Sequence, residues 1–284
     1  MKISIDQLKK LPVFGIAGNF AEHLRQAGED GDFVNVITEE KNAPKGIFPI
    51  YLPQHSTFLG TFPLSHTHID ADFSAPVNLH MEPEMCVLFN VDYTDEQVKS
   101  LEPLAFSVFN DCSIRKPNAN KISEKKNWGL ACTGIGREWI EIDQFQTGGV
   151  LDHIHIASYL CRNGEVIQYG VDSPVIGYQY FYSKLLNWMI KTFNSQNNFG
   201  PLEYLQHYLL QLKQPKQFII SLGATRYTEF GETGFLKPED KIGIFVYDAR
   251  KADEADIEDF FTTEEPADNF LAGVALMQSI RQIK

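Results

Sequence analysis

The sequence predicts a β-rich α+β fold, on three observations. Short apolar runs crowd its first half, helical periodicity is confined to its second half, and strands do not alternate with helices as βαβ units require. Met85–Val91 (MCVLFNV) is almost wholly apolar, as a strand buried on both faces should be. Phe106–Phe109, Trp139–Ile142, His153–Leu160, Phe218–Leu222 and Ile242–Tyr247 share that character. Asn163-Gly164, just past the third of these, reads as a hairpin turn. Helical spacing appears at Phe181, Leu185, Trp188, Met189 and Thr192, and again from Leu202 to Leu212, where Gly200 and Pro201 mark a start.

The C-terminal stretch differs in composition. Residues 249–265 carry Asp253, Glu254, Asp256, Glu258, Asp259, Glu264 and Glu265. Asn269–Ile283 then sets Phe270, Val274, Met277 and Ile280 at near-helical intervals behind Asp268, a natural cap. The expected organisation is a main domain over 1–248 and an acidic extension over 249–284 that ends in an amphipathic helix.

With 43% hydrophobic residues in 284, the chain can bury a full-sized core. Its net charge of −12, from 25 Lys and Arg against 37 Asp and Glu, lacks the basic face that phosphate neutralisation needs, which argues against nucleic acid as a partner. MKISIDQLKKLPVFG has no signal-peptide pattern, and no apolar run approaches the roughly 20 residues that cross a bilayer. A cytoplasmic protein with no membrane partner is therefore expected. Cys86, Cys112, Cys132 and Cys161 form no CxxC pair and read as reduced thiols.

The strongest chemical signal is His80-Met-Glu82-Pro-Glu84, leading into MCVLFNV. Carboxylates at i and i+2 of an extended segment project from one face. Crowding them against a buried strand is costly unless a charge compensates, and carboxylate oxygens suit hard divalent ions. A second segment, Val108-Phe-Asn-Asp111-Cys-Ser-Ile-Arg115, ends an apolar strand in an acid. Glu82, Glu84 and Asp111 would together give one ion a three-oxygen face and leave about three octahedral positions for water or a chelating ligand. His66, His68, His153 and His155 form two His-x-His pairs with no cysteine partner nearby, and read as surface or packing residues.

These segments fall in the order found in the fumarylacetoacetate hydrolase superfamily, which the chain resembles from about Gly15 to Tyr247. Gly18-Asn19-Phe20-Ala21-Glu22-His23 matches an opening Gly-x-Asn-Tyr-x-x-His. Glu82 and Glu84 match a Glu-x-Glu, and Asn110-Asp111-Cys112-Ser113-Ile114-Arg115 an Asn-Asp-x-Ser-x-Arg-Asp whose last acid is Lys116 here. Asn163-Gly164-Glu165-Val166-Ile167-Gln168 resembles the turn Asn-Gly-Glu-x-x-Gln. FIISLGAT, FGETG and Leu236-Lys237-Pro238-Glu239-Asp240 before KIGIFVY follow the family's closing pattern.

The resemblance implies a mixed β-sandwich roll with peripheral helices, a homodimer, and Mg²⁺ or Mn²⁺, with Ca²⁺ a further candidate, on Glu82, Glu84 and Asp111. It implies small 2-oxo or 1,3-diketo acids as substrates of C–C hydrolysis, decarboxylation, or enol isomerisation and hydration. His23 takes the place of the family histidine that activates water. The acid that assists it is replaced by Gln26, which can orient a water but not accept its proton. Glu22 and Glu29 are the nearby acids. Lys126 matches the lysine that holds negative charge beside the metal, with Lys125 and Lys121 as alternatives. Gln168 is expected at the substrate. Ala224 stands where the family has threonine, and Thr225 would have to serve from the next position. Two functions fit: a metal-dependent enzyme of oxo-acid chemistry, or a non-catalytic metabolite binder that keeps the metal face.

Overall fold

The computed structural model describes residues 1–115 and 119–283, so the departure at Lys116 lies outside the described residues. In chain order the strands are β1 (Val13–Ala17), β2 (Gly46–Tyr51), β3 (Leu64–Ser65), β4 (His68–Ala71), β5 (Leu79–His80), β6 (Pro83–Thr94), β7 (Gln97–Asn110) and β8 (Ser113–Ile114). They continue as β9 (Thr133–Ile135), β10 (Ile140–Glu141), β11 (Ile154–Arg162), β12 (Glu165–Pro174), β13 (Gln217–Ser221), β14 (Lys241–Asp248) and β15 (Gly273–Gln282). The helices are α1 (Ile5–Leu8), α2 (His23–Gln26), α3 (Ser123–Lys126), α4 (Tyr182–Ser195), α5 (Leu205–Gln211), α6 (Glu229–Thr233) and α7 (Glu254–Thr262). The β-rich α+β class expected from the sequence is the one observed.

One mixed sheet runs β2–β1–β13–β6–β7–β9–β3 with β10 on β7, and a second runs β12–β11–β14–β15–β4. Val87, Phe106 and Val108 of the first share a core with Ile156, Ile244 and Leu276 of the second. Helix α4 adds Leu185, Met189 and Phe193, whose ring lies 5.3 Å from Phe14 and 5.1 Å from Phe218. Each such buried ring contributes about 1.5–3 kcal/mol.

The β6–β7 hairpin positions the site. Its turn, Asp95-Glu96, has positive φ at both residues (49° and 66°), as a two-residue primed turn requires. Two register shifts, between Leu88 and Phe89 and between Asp92 and Tyr93, carry the pairing two residues further along β7 than the turn alone would. Pro83 therefore faces Asn110, and the Asp111 amide donates to the Glu82 carbonyl at 3.1 Å. Asn163-Gly164 makes the β11–β12 hairpin turn the sequence predicts, with φ of 55° and 82°.

Two expectations are corrected. Residues 269–283 are not an amphipathic helix: Gly273–Gln282 is β15, antiparallel to β14 and parallel to β4 in the middle of the second sheet. Val274, Leu276 and Ile280 alternate into the main core, while Ala275 faces the cluster of Phe245, Ile257 and Phe261. Apolar residues three and four apart also satisfy a strand when small ones intervene, and pairing on both edges overrides the local signal. The helix lies instead within the acidic stretch. Asp253 and Asp256 exchange side-chain-to-amide bonds of 3.0 Å as a capping box for α7, whose Ile257 and Phe261 point inward. The second helix begins at Leu205, not Leu202, and Pro201 precedes it. No helix among the described residues is long and apolar enough to cross a membrane. The four cysteines are free thiols, with Cys86, Cys112 and Cys132 buried.

Candidate metal centre

At the open end of the β6–β7 hairpin, Glu82, Glu84 and Asp111 offer carboxylate oxygens that all lie within 4.8 Å of one another. Each residue is at most 3% exposed. The i, i+2 spacing turns Glu82 and Glu84 to one face, and the shifted register brings Asp111 beside them. Glu84 Oε2 accepts from the Ser221 hydroxyl and, at 2.8 Å, from the Gly223 amide. That amide is turned inward by a φ of +111°, a conformation that favours glycine. Asn19 staples the same loop: its Nδ2 donates to the carbonyls of Leu222 (3.0 Å) and Tyr180 (3.1 Å).

The cations come from elsewhere in the chain. Lys126 Nζ, on the short α3, reaches Glu82 Oε2 at 2.6 Å, Asp111 Oδ2 at 2.8 Å and the Asp111 carbonyl at 3.0 Å. Asn127 anchors α3 by donating to the carbonyls of Ile50 and Thr61. Lys125 and Lys121, the alternatives for this role, go elsewhere: Lys125 to Glu29 and Asp32, Lys121 to Asn198 and the Gly200 and Leu202 carbonyls. The 197–214 segment thus braces α3 from behind. Ser123 of α3 also donates to the buried Glu203. Arg115 Nη1 lies 2.7 Å from Glu29 Oε1 and 3.1 Å from Glu82 Oε1, while its Nε and Nη2 both face His80 Nδ1.

Burial, joined by repulsion from Glu82, pushes the Asp111 carboxyl up to about 7 against the pull of Lys126. Burial and the negative charge of Asp111 hold Glu84 well above the usual carboxylate range. Burial would raise Glu82 too, but Lys126 and Arg115 hold it well below. Burial and the neighbouring Arg115 charge bring His80 down to about 3, so it is a neutral acceptor for the guanidinium.

The donor set fits a hard divalent ion. Among the described residues Asp111 Oδ1 is buried with no hydrogen-bond partner, an expensive state for a carboxylate oxygen, and Glu82 Oε1 has only the ion pair with Arg115. Glu82, Glu84 and Asp111 line a cavity of about 20 Å³, room for one water-sized body. Charge agrees. Glu29, Glu82, Glu84 and Asp111 face the buried Lys126 and the largely buried Arg115, and Lys125 is paired with Asp32 at 2.5 Å. Once Asp111 and Glu84 give up their protons, the excess is two negative charges, which one divalent ion neutralises.

Because the raised Asp111 and Glu84 carboxyls hold protons that a metal must displace, affinity for Mn²⁺ should fall as pH drops below about 7. The expected loss is about tenfold per pH unit for each proton released. Titration calorimetry at pH 6 and pH 7.5, in two buffers of different ionisation enthalpy, measures both affinity and proton release; equal affinities with no release would contradict the assignment.

The remaining predicted residues divide. His23, on α2, lines the cavity: its Nδ1 donates to the Thr225 carbonyl at 2.8 Å, and its unpartnered Nε2 lies 3.7 Å from Glu82 Oε2. Gln26 is turned away. Its amide donates to the Tyr227 carbonyl (3.1 Å) and its oxygen accepts from the Tyr227 amide (3.0 Å), so it clamps a loop instead of orienting water. Ala224 lines the cavity and Thr225 does not, because successive residues of an extended segment face opposite sides; the Thr225 hydroxyl is buried and unpartnered. Gln168 also lies outside the cavity, and its amide donates to Glu254 of α7. The two His-x-His pairs do not converge: His66 bonds the Ile135 carbonyl and His155 bonds Asp172. Sequence reasoning did not find Ser221, Gly223, His80 or the Arg115–Glu29 pair. Their signals were indirect: Arg115, Ser221 and Gly223 lie in matched segments, His80 opens the Glu82-Pro-Glu84 motif, and Glu29 read only as an acid near His23.

The comparisons agree with this architecture. Residues 29–280 match a family described as a family of unknown function (DUF5718). No curated protein matches the chain by sequence. Among solved structures, 2-keto-3-deoxyarabinonate dehydratase is similar with a TM-score of 0.58 at 13% identity, covering 96% of this chain and 74% of that one. The 2-keto-3-deoxy-D-arabinonate dehydratase complexed with magnesium and 2,5-dioxopentanoate has a TM-score of 0.52 at 13% identity, covering 100% and 83%. A protein from Oleispira antarctica provisionally described as a fumarylacetoacetate isomerase/hydrolase has a TM-score of 0.51 at 13% identity, covering 95% and 93%. At these identities the likeness establishes the fold, that of the fumarylacetoacetate hydrolases.

Proposed function

We propose that this chain, which belongs to the family of unknown function DUF5718, is a divalent-metal-dependent enzyme acting on a small 2-oxo or 1,3-diketo acid, as a divergent member of the fumarylacetoacetate hydrolase superfamily. One observation carries the reading. Three buried carboxylates, one of them with an unpartnered oxygen on Asp111, share a cavity with a lysine and with a histidine nitrogen that has no hydrogen-bond partner among the described residues. The magnesium and 2,5-dioxopentanoate bound by a protein of this fold support the choice of ion and substrate class. Glu82, Glu84 and Asp111 would hold Mg²⁺ or Mn²⁺, which supplies a Lewis acid for the oxygens of an oxo acid. A homodimer in the cytoplasm remains part of the proposal.

The chain's own groups have separable tasks. A carbonyl only accepts, so the bond from His23 Nδ1 to Thr225 fixes the proton on Nδ1 and leaves a lone pair on Nε2, facing the cavity. His23 is thus set to take a proton there. Lys126 holds negative charge that develops nearby, and the buried setting strengthens its effect. Burial works against its charge, but Asp111 and Glu82 keep the ammonium above its ordinary range. Gln168 and Thr225 would contact substrate only after rearrangement, since neither lines the cavity.

A second reading, a non-catalytic metabolite binder, has one observation in its favour: Gln26 is spent on the Tyr227 backbone and gives His23 no acidic partner. A panel of acylpyruvates and oxaloacetate with Mn²⁺, followed by ultraviolet absorbance, separates the two. Turnover that disappears in Glu84→Ala is the expected result. Tight oxalate or pyruvate binding with no turnover on any member would favour the binder.

A further inference from the structure

The cavity of about 20 Å³ is far below the roughly 300 Å³ and upward of ligand sites, so an oxo acid cannot enter unless a wall moves. Beyond the three candidate ligands and Lys126, the charged group in its wall is Glu29, a 6%-exposed carboxylate from the segment joining β1 to β2. Its Oε1 sits 2.7 Å from Arg115 Nη1 and 3.4 Å from Lys125 Nζ. Arg115 is fixed behind by the neutral His80, 3.0 Å from Nε and 2.8 Å from Nη2, and its Nη1 also touches Glu82 Oε1 at 3.1 Å. One guanidinium nitrogen therefore bridges a metal-ligand carboxylate and a second carboxylate that is no ligand.

We propose that Glu29 is a built-in surrogate for the substrate's carboxylate, and that Arg115 and Lys125 are the groups that select an acid once Glu29 withdraws. The proposal rests on the oxo-acid reading above and adds the carboxylate subsite and its competitor. Exchange of one carboxylate for another keeps a second anion on the largely buried Arg115, which otherwise retains only Glu82, and on the buried Lys125, which otherwise retains only Asp32. A neutral diketone offers no such exchange and would leave Glu29 in place.

While Glu29 occupies the cations, the apparent affinity for an acid is reduced by the fraction of molecules in which it is withdrawn. Glu29→Gln should relieve that penalty. Oxalate and acetylacetone titrated into the Mn²⁺-loaded full chain give the readout. Oxalate is expected to bind at least about tenfold tighter to Glu29→Gln, while acetylacetone and Mn²⁺ affinities stay within about threefold. Glu29→Asp, shorter in reach, should tighten oxalate binding in the same direction and serves if the glutamine variant does not fold. Oxalate affinity unchanged or weakened in the folded variants, with Mn²⁺ bound normally, overturns the proposal alone. Failure of the unsubstituted chain to bind Mn²⁺ removes the metal reading and this proposal with it.

Discussion

Replacing Lys126 by methionine is expected to destabilise the metal-free protein by about 3–5 kcal/mol. The ammonium is 2% exposed and lies 2.6 Å from Glu82 and 2.8 Å from Asp111. Methionine fills much of the same volume but leaves Asp111 with no cation beside it and Glu82 with Arg115 alone. For a chain of this size each kcal/mol is worth roughly 2–4 °C, so the melting temperature should fall by about 6–20 °C. Metal should then matter more: the rise produced by saturating Mn²⁺ should exceed that of the unsubstituted protein, because the ion becomes the principal counter-charge. Circular-dichroism melts with and without Mn²⁺ measure both quantities. A metal-free melting temperature within 2 °C of the original, by the same scale, would show that Lys126 does not hold these carboxylates together.

Alanine at Glu82, Glu84 or Asp111 should have the converse effect. Mn²⁺ at a hundred times its dissociation constant stabilises a protein by about 2.7 kcal/mol, here roughly 5–10 °C. Each alanine variant is expected to lose that shift. Glu84 is the cleanest of the three because its contacts are the Ser221 hydroxyl and the Gly223 amide, with no ion pair among the described residues. Its removal tests ligation without undoing the Lys126 bridge. Asp111→Ala and Glu82→Ala change both, so their metal-free melts should also move. Unchanged Mn²⁺ affinity in all three variants would rule out this metal centre.

Much of the site was legible because it follows from local geometry. Glu82 and Glu84 are two apart on an extended segment, which sends both to one face whatever the rest of the chain does. Asp111 ends an apolar run, where a strand opens to the mouth of a sheet. The hairpin turn at Asn163-Gly164 and the apolar strands needed only their own residues. Resemblance to a known family added Lys126, which residue spacing alone could not have separated from Lys125.

Other features had no local signature. Asp111 meets Glu82 only because two register shifts lengthen β7 relative to β6, and such shifts are set by packing across the sheet. Gln26 reads as a neighbour of His23 on a helix, yet its amide is claimed by the backbone of Tyr227. Residues 273–282 read as a helix until the open edges of β14 and β4 are present to pair with them. Glu29 read only as an acid near His23, since its partners Arg115 and Lys125 lie far along the chain.

The sequence by itself determined which faces carry acid and which carry core, since alternation along a strand is a property of a few consecutive residues. Only the tertiary structure decided which charges meet, because a buried carboxylate takes whichever cation the packing of distant strands and helices leaves within reach.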